Sequence, residues 1–234
     1  MDRLTRKELK SDRFALEVQH SVEYVSEHRK QLVRWGGIAV VVALVVLAVF
    51  LYRSHQHTVR QAALRSAMVI QQAQVGPAPN EYTVAFPTAD ERVKAVIKAM
   101  SDVATRYSGT DEGYIAEFYL GTTAADTGNT GEAQRRFKLV VDNSGEPYAS
   151  LARLSLAQLY GSQGKLADAE ALIRYDLDHP TILVSKEEAT IALARLWEST
   201  KPQEARKLLE PLRASPRSAV SRAALTALSE IPQK

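Results

Sequence analysis

Cysteine is absent from the 234 residues. That excludes disulfides, thiolate metal sites and a cysteine nucleophile, and leaves no thiol for a lipid anchor. Aromatic residues make up only 7%, and alternating β-branched runs are missing beyond residue 52. With Ala and Leu frequent instead, the expected fold class is all-α. Charge of one sign is scarce as well. The formal net charge is +3; the first 34 residues supply most of the excess, so no basic face for nucleic acid remains. G-x-S-x-G and H-E-x-x-H are both lacking. D-T-G-N-T-G at 126–131 reads as a helix-to-helix turn, not as a phosphate loop. His20 and His28 do not share a helical face well, and His55 and His57, two apart, point to different sides of a helix. His179 could hold a cation together with Asp176 and Asp178, but solvation of a helix end is the expected use of these side chains. No catalytic residue, cofactor or metal site is assigned, and an enzyme is not expected.

Charge is also missing from one continuous stretch, W-G-G-I-A-V-V-V-A-L-V-V-L-A-V-F-L-Y, from Trp35 to Tyr52. As a helix it reaches roughly 27 Å, close to the hydrocarbon thickness of a bilayer. Lipid offers the backbone no partners, so the segment must satisfy its own N–H and C=O groups as a helix. Trp35 and Tyr52 sit where rings prefer headgroup depth. Arg34 and Arg53, just outside, can snorkel to the phosphates. The exit, V-F-L-Y-R-S-H, offers no small-residue pair for cleavage, so the segment is expected to stay as a transmembrane signal anchor. Arg3, Arg6, Lys7, Lys10, Arg13, Arg29, Lys30 and Arg34 precede it, whereas Arg53, Arg60 and Arg65 follow it closely. The basic excess predicts a cytoplasmic N-terminus and an external C-terminal domain.

Taken in order, residues 8–33 contain neither Gly nor Pro. They carry Phe14, Val18, Val22, Val25 and Leu32 at helical spacing, which predicts an amphipathic cytoplasmic helix within 1–34. After the anchor at 35–52, the helix is expected to continue unbroken to Val75. Gly76, Pro77 and Pro79 then open a linker over 76–87, so that 53–80 forms a helix and linker. Residues 81–234 form the remaining domain. It begins with a capping box, Thr88 with Glu91. Later helix starts are marked by Pro147 after Ser144 and Glu146, by Ser185 with Glu188, by Pro202 after Thr200, and by Pro216 after Ser215.

The helices repeat in pairs. Ala133, Ala169 and Ala205 are spaced 36 apart, and Gly128 to Gly164 and Leu120 to Leu156 keep the same step. Such a period signals a solenoid. Gly121, Ala157 and Ala194 are small on the first helix of each pair, as the three alanines are on the second, so backbones can approach. Phe137, Tyr160 and Trp197 fill the gaps between helices. Residues 90–107 read as the second helix of a degenerate earlier unit, and 216–229 as a terminal capping helix.

This pattern of Leu-Gly, aromatic, Ala, Phe and closing Pro (here Leu120-Gly121, Tyr160, Ala133, Phe137 and Pro180) resembles the tetratricopeptide repeat. The resemblance implies an α-solenoid whose first helices line a concave, protein-binding face. Matched position by position, that face comprises Ile115, Phe118, Thr122 and Ala125 from unit one. Unit two contributes Leu151, Leu154 and Gln158, and unit three Glu188, Ile191, Arg195 and Glu198. Repeats that clamp a terminal carboxylate carry Lys and Asn at several of these places. Phe118, Leu154 and Ile191 stand here instead, which suits an amphipathic helix or an extended apolar segment.

A basic tail, one uncleaved anchor, a helix leaving the membrane and a short repeat array together resemble the ancillary subunit of the SecYEG translocon. That resemblance implies a bacterial inner-membrane protein with a periplasmic repeat domain. Its implied partners are translocon subunits, periplasmic chaperones or secreted polypeptides, with the bilayer held through residues 35–52. An envelope-assembly or cell-division scaffold with one stable folded partner is the alternative.

Overall fold

The computed structural model describes residues 29–78, 80–81 and 83–232. The expected amphipathic helix at 8–33 lies, except for its end, outside them. Helix α1 spans Arg29–Gln71. Its part from Val33 to Tyr52 covers its apolar side chains with nothing: Trp35 is 71% exposed, Val41 60% and Phe50 66%. One helix is therefore long and apolar enough to cross a membrane. The chain divides into two compact units, one ending at Thr58 and the other running from Val59 to Lys234.

In the second unit, α1 ends at Gln71, four residues short of the expected Val75. Residues Gln74–Val75 leave the helix as strand β1 and pair in parallel with Ala85–Phe86, strand β2. The register sets Gln74 against Ala85 and Val75 against Phe86. The linker is thus a closed loop pinned at its neck. Arg92 reaches back to the Gln71 carbonyl, at 3.4 Å, and satisfies one of the acceptors that every helix end leaves open.

Eight further helices follow among the described residues: α2 (Ala89–Arg106), α3 (Asp111–Asp126), α4 (Thr130–Asn143), α5 (Glu146–Ser162), α6 (Leu166–Asp178), α7 (Lys186–Trp197), α8 (Pro202–Arg213) and α9 (Ser218–Glu230). Sequence neighbours pack together throughout, and α9 also packs on α7. The pairs α3/α4, α5/α6 and α7/α8 are the three repeats. The Thr88 and Ser185 hydroxyls accept from the Glu91 and Glu188 N–H groups, as capping boxes should. Three starts differ from expectation. Lys201, not Thr200, caps α8. Gly145, not Ser144, caps α5. Pro216 stays in the turn before α9, whose cap is Arg217.

The internal turns show why unit three looks irregular. Gly128 and Gly164 take φ of +79° and +74°. This lets the following N–H bond a carbonyl five residues back, Asn129 to Ala124 at 2.8 Å and Lys165 to Tyr160 at 2.9 Å. Unit three has one residue fewer between its aromatic and its second helix. It holds no glycine there, and Lys201 bonds Trp197 only four residues back, at 2.8 Å.

The core comes in two clusters. Ala67 near the end of α1 is buried with Val96, Met100 and Val103 of α2 and Ala116 and Leu120 of α3. The repeat packing therefore begins before the expected boundary at residue 81, and the end of α1 stands as partner to α2. The larger cluster runs from Phe137 through Leu156, Ile173 and Leu193 to Leu209 and Ala227. Ala133, Ala169, Ala205, Ala157 and Ala194 are all fully buried. A Cβ on Gly121 would meet the Phe137 ring at 2.7 Å, so glycine there is what admits that ring.

Candidate functional site: a cleft in the distal repeats

A cleft of about 630 Å³ opens between α5, α6, α7 and the first turns of α9. Five of the expected concave residues line it: Leu154, Gln158, Glu188, Ile191 and Arg195. Leu154 and Ile191 form part of its floor and keep only 8% of their surface. They are shared between the floor and the core beneath. Gln158, Glu188 and Arg195 are exposed. Arg195 lies 3.6 Å from Glu230 of α9, a loose pair with both side chains about half exposed and of little energetic weight.

The other expected positions lie outside the cleft. Phe118 is half-buried and stacks edge-on against Tyr119 at 5.6 Å and tilted against Phe137 at 5.8 Å, a contact inside unit one. Ile115, Thr122 and Leu151 are half-buried. The Thr122 hydroxyl donates to the Tyr119 carbonyl at 2.9 Å. Ala125 packs on the main core. Glu198 is the C-terminal cap of α7. At the other end of the chain, Arg34, Trp35, Tyr52 and Arg53 are all exposed on α1.

Several lining residues carry no sequence signal of their own. Ala219, Val220 and Ala223 come from α9, and Gly161 and Leu196 from the facing sides of α5 and α7. A terminal capping helix was legible, but the depth to which it closes this end of the cleft depends on α9 packing against α7. The small residue at 161 was the one available hint. A Cβ there would touch Leu196 at 3.1 Å, so glycine lets α5 and α7 close at that point.

Beside the cleft lies a buried ion pair. Arg153 of α5 donates to Asp176 of α6 at 2.7 Å and to Glu146 at 2.6 Å. Its guanidinium sits 4.4 Å over the Tyr175 ring, and His179 stacks on that ring at 4.4 Å. Asp176 is fully buried, so the expectation of a solvated helix end, or of a cation held with Asp178, does not hold. Asp176 anchors Arg153 instead. Burial raises its carboxyl above the ordinary value, against the opposing pull of Arg153. The Ser150 and Thr181 hydroxyls meet at 2.8 Å next to this pair. Thr181 also accepts from the Val184 N–H at 3.0 Å, which fixes the loop leading into α7.

The turns of units two and three share another device. Lys165 lies 5.3 Å over Tyr160, and Lys201 lies 4.6 Å over Trp197. The Trp197 indole donates to Glu170 at 2.9 Å, and that bond holds the Glu170 carboxyl below its usual range. These groups rigidify the outer edge and do not reach the cleft. Among the described residues, no three metal-ligating side chains cluster.

No curated protein and no solved structure matches the chain. One family does, described as a tetratricopeptide repeat-like domain, over residues 30–187. The match takes in the apolar segment and the first two repeats, and the fold carries the same pairing on through α7, α8 and α9. On that match over more than half its length, the chain belongs to the tetratricopeptide repeat-like family.

Proposed function

We propose that this protein is a membrane-tethered scaffold for protein–protein interaction. It works at the periplasmic side of the bacterial secretion channel and receives translocon subunits, chaperones or emerging polypeptides. The observation that carries this reading is the coexistence of two features on one chain. Residues 33–52 present apolar side chains that no protein covers, and a repeat body holds an open cleft with an apolar floor. The first feature calls for lipid, because exposed apolar surface on this scale is costly in water. The second suits a polypeptide, since repeat arrays of this kind commonly bind proteins and fold alone does not decide which. The family match begins at residue 30, so the apolar helix and the repeats occur together in the matched pattern. The basic residues before the span support a cytoplasmic N-terminus.

Two measurements on the full chain test this. A periplasm-active reporter fused after Lys234 is expected to work. Activity only from a cytoplasm-active reporter there would reverse the orientation and remove the secretion role. After crosslinking in intact membranes, channel subunits are expected to be recovered with the chain. Recovery of one unrelated, stoichiometric envelope protein in their place would assign the scaffold to envelope assembly.

A further inference from the structure

We propose that α9 is a releasable strap beside the distal cleft. It folds as a helix only when docked on α7 and α8, and it releases as one unit while the repeats stay folded. This goes beyond the scaffold reading and does not depend on which partner the chain receives. Three observations carry it.

The first is charge. Acids near its start and bases near its end stabilise a helix, because N–H groups are left open at the one and carbonyls at the other. Helix α9 has neither in those turns. Arg217 caps its start and Glu230 is its last residue, so both charges oppose its own dipole. They match α7 instead, which carries Glu187 and Glu188 in its first turn and Arg195 in its last. Arg217 pairs with Glu187, and Glu230 lies 3.6 Å from Arg195. The two helices therefore run in the same direction, and the end charges of α9 become favourable only on docking. Both pairs are open to solvent and individually weak. They set the direction of docking without holding it shut.

Local helix signals are the second. Among α2–α9, only α9 begins with no side-chain cap, no proline in its first two positions and no acid in its first turn. It has 13 residues, a length at which an isolated helix is marginal in water. A free α9 has little to hold it helical.

The third is burial. Each of α2–α8 buries at least one apolar side chain larger than alanine, such as Met100, Phe137, Ile173 or Leu209. Helix α9 buries only Ala224 and Ala227, with Val220 and Leu228 half-buried and Leu225 47% exposed. A methyl group removes far less apolar surface from water than a leucine side chain does. The larger anchor, Ile231, lies just past the helix, where Arg206 of α8 donates to its carbonyl at 2.9 Å. Elements with few buried apolar contacts open first. Ala219, Val220 and Ala223 form one wall of the cleft, so release of α9 removes that wall and widens the cleft along α7.

The test uses the full chain in lipid nanodiscs. The chain lacks cysteine, so one introduced thiol is the only reporter. Ala227→Cys on α9 and Ala194→Cys on α7 both place it at a buried alanine. Under native conditions Ala227→Cys is expected to react with an aromatic disulfide reagent at least about tenfold faster than Ala194→Cys. Adding Arg217→Glu sets two acids against each other. It should speed the reaction at position 227 several-fold and leave that at 194 unchanged. Adding Glu187→Arg as well restores the pair in reverse and should slow the reaction again. Hydrogen exchange of the natural chain should agree, with the amides of 222–230 exchanging as one group ahead of those of α7. Equal thiol rates at 227 and 194, or exchange of α9 together with α7, would mean that α9 opens only with the whole array, and the proposal falls. It falls too if Arg217→Glu does not speed the reaction. An acid at that end favours the helix itself, so α9 would then be held by its own signals. Failure of Glu187→Arg to reverse the effect would show that the pair does not direct docking, with the same result.

Discussion

Residues 33–52 and helix α5 are both helical and both rich in aliphatic side chains, yet those side chains end in opposite surroundings. Leu44, Leu47 and Val49 are 59%, 52% and 49% exposed. In α5, Leu154, Leu156 and Leu159 keep 8%, 3% and 8%. The difference lies in what interrupts the apolar residues. In α5 the half-buried Ser155 and the exposed Gln158 interrupt them, so one face can turn to neighbouring helices and another to water. Between residues 35 and 52 nothing polar interrupts them, and no face is left for water. The same side chains thus serve as core in one region and, in the other, as the uncovered surface of a helix long and apolar enough to cross a membrane.

The sharpest way to break this comparison is to make one change in both regions. Leu209 is fully buried in α8, and Leu209→Ala should cost about 2 to 5 kcal/mol of stability. Leu47→Ala should leave the melting of the repeats unchanged, as read by circular dichroism of the full chain in nanodiscs. An equal loss from both would mean that residue 47 is packed against protein. Next in size, Leu47→Arg should disfavour insertion by about 2.5 to 3.5 kcal/mol at the centre of the span. The signature is a shift of the chain from the carbonate-resistant membrane fraction to the soluble one. Ala169→Leu adds bulk where the α5/α6 pair is fully packed and should cost about 1 to 3 kcal/mol. An unchanged melting temperature would contradict the assigned repeat register.

The smallest effects are the most discriminating, because two carboxylates should respond to acid with opposite sign. The Arg135 guanidinium hydrogen-bonded to Glu132 holds that carboxyl down at about 2, from an ordinary 4.5. Its contribution is therefore present above the ordinary value and is lost as pH falls from 4.5 through about 2. Asp176 is raised by burial. Its folded state holds a proton more tightly than the unfolded chain does, so its contribution grows as pH falls through the raised value and fades as pH rises. Melting temperatures from pH 7 to pH 3 should show Glu132→Gln flattening the acid loss. Asp176→Asn should instead lose ground against the natural chain as pH drops. The same sign for both would mean that the pull of Arg153 outweighs burial at Asp176.

Most of the fold was legible because its signals are local. A hydroxyl three residues before Glu91 or Glu188, a glycine at 128 or 164, and alanines 36 apart each report on a few neighbouring residues or on one repeated contact. The departures came from interactions that sequence distance hides. Helix α1 stops at Gln71, and residues 74–75 pair instead with a strand eleven residues on. Asp176 is buried because Arg153, 23 residues earlier, faces it. Of the site, the apolar positions 154 and 191 and the polar positions 158, 188 and 195 could be placed by repeat register. Phe118 obeyed the same register but turned its ring toward Phe137 and Tyr119, since glycine at 121 leaves room for aromatics to pack within unit one. The contribution of α9 required knowing how it docks on α7, which no single residue type announces.

We propose, as the central claim, that the distal cleft of a membrane-tethered repeat protein receives polypeptide at the secretion channel. It is tested most directly by placing a photoreactive side chain at Gln158, and separately at exposed Lys207 on α8, in the full chain in living cells. Illumination should yield adducts with emerging polypeptides and channel subunits from position 158, and few from position 207. Adducts of equal yield from both positions, or none from position 158, would contradict it.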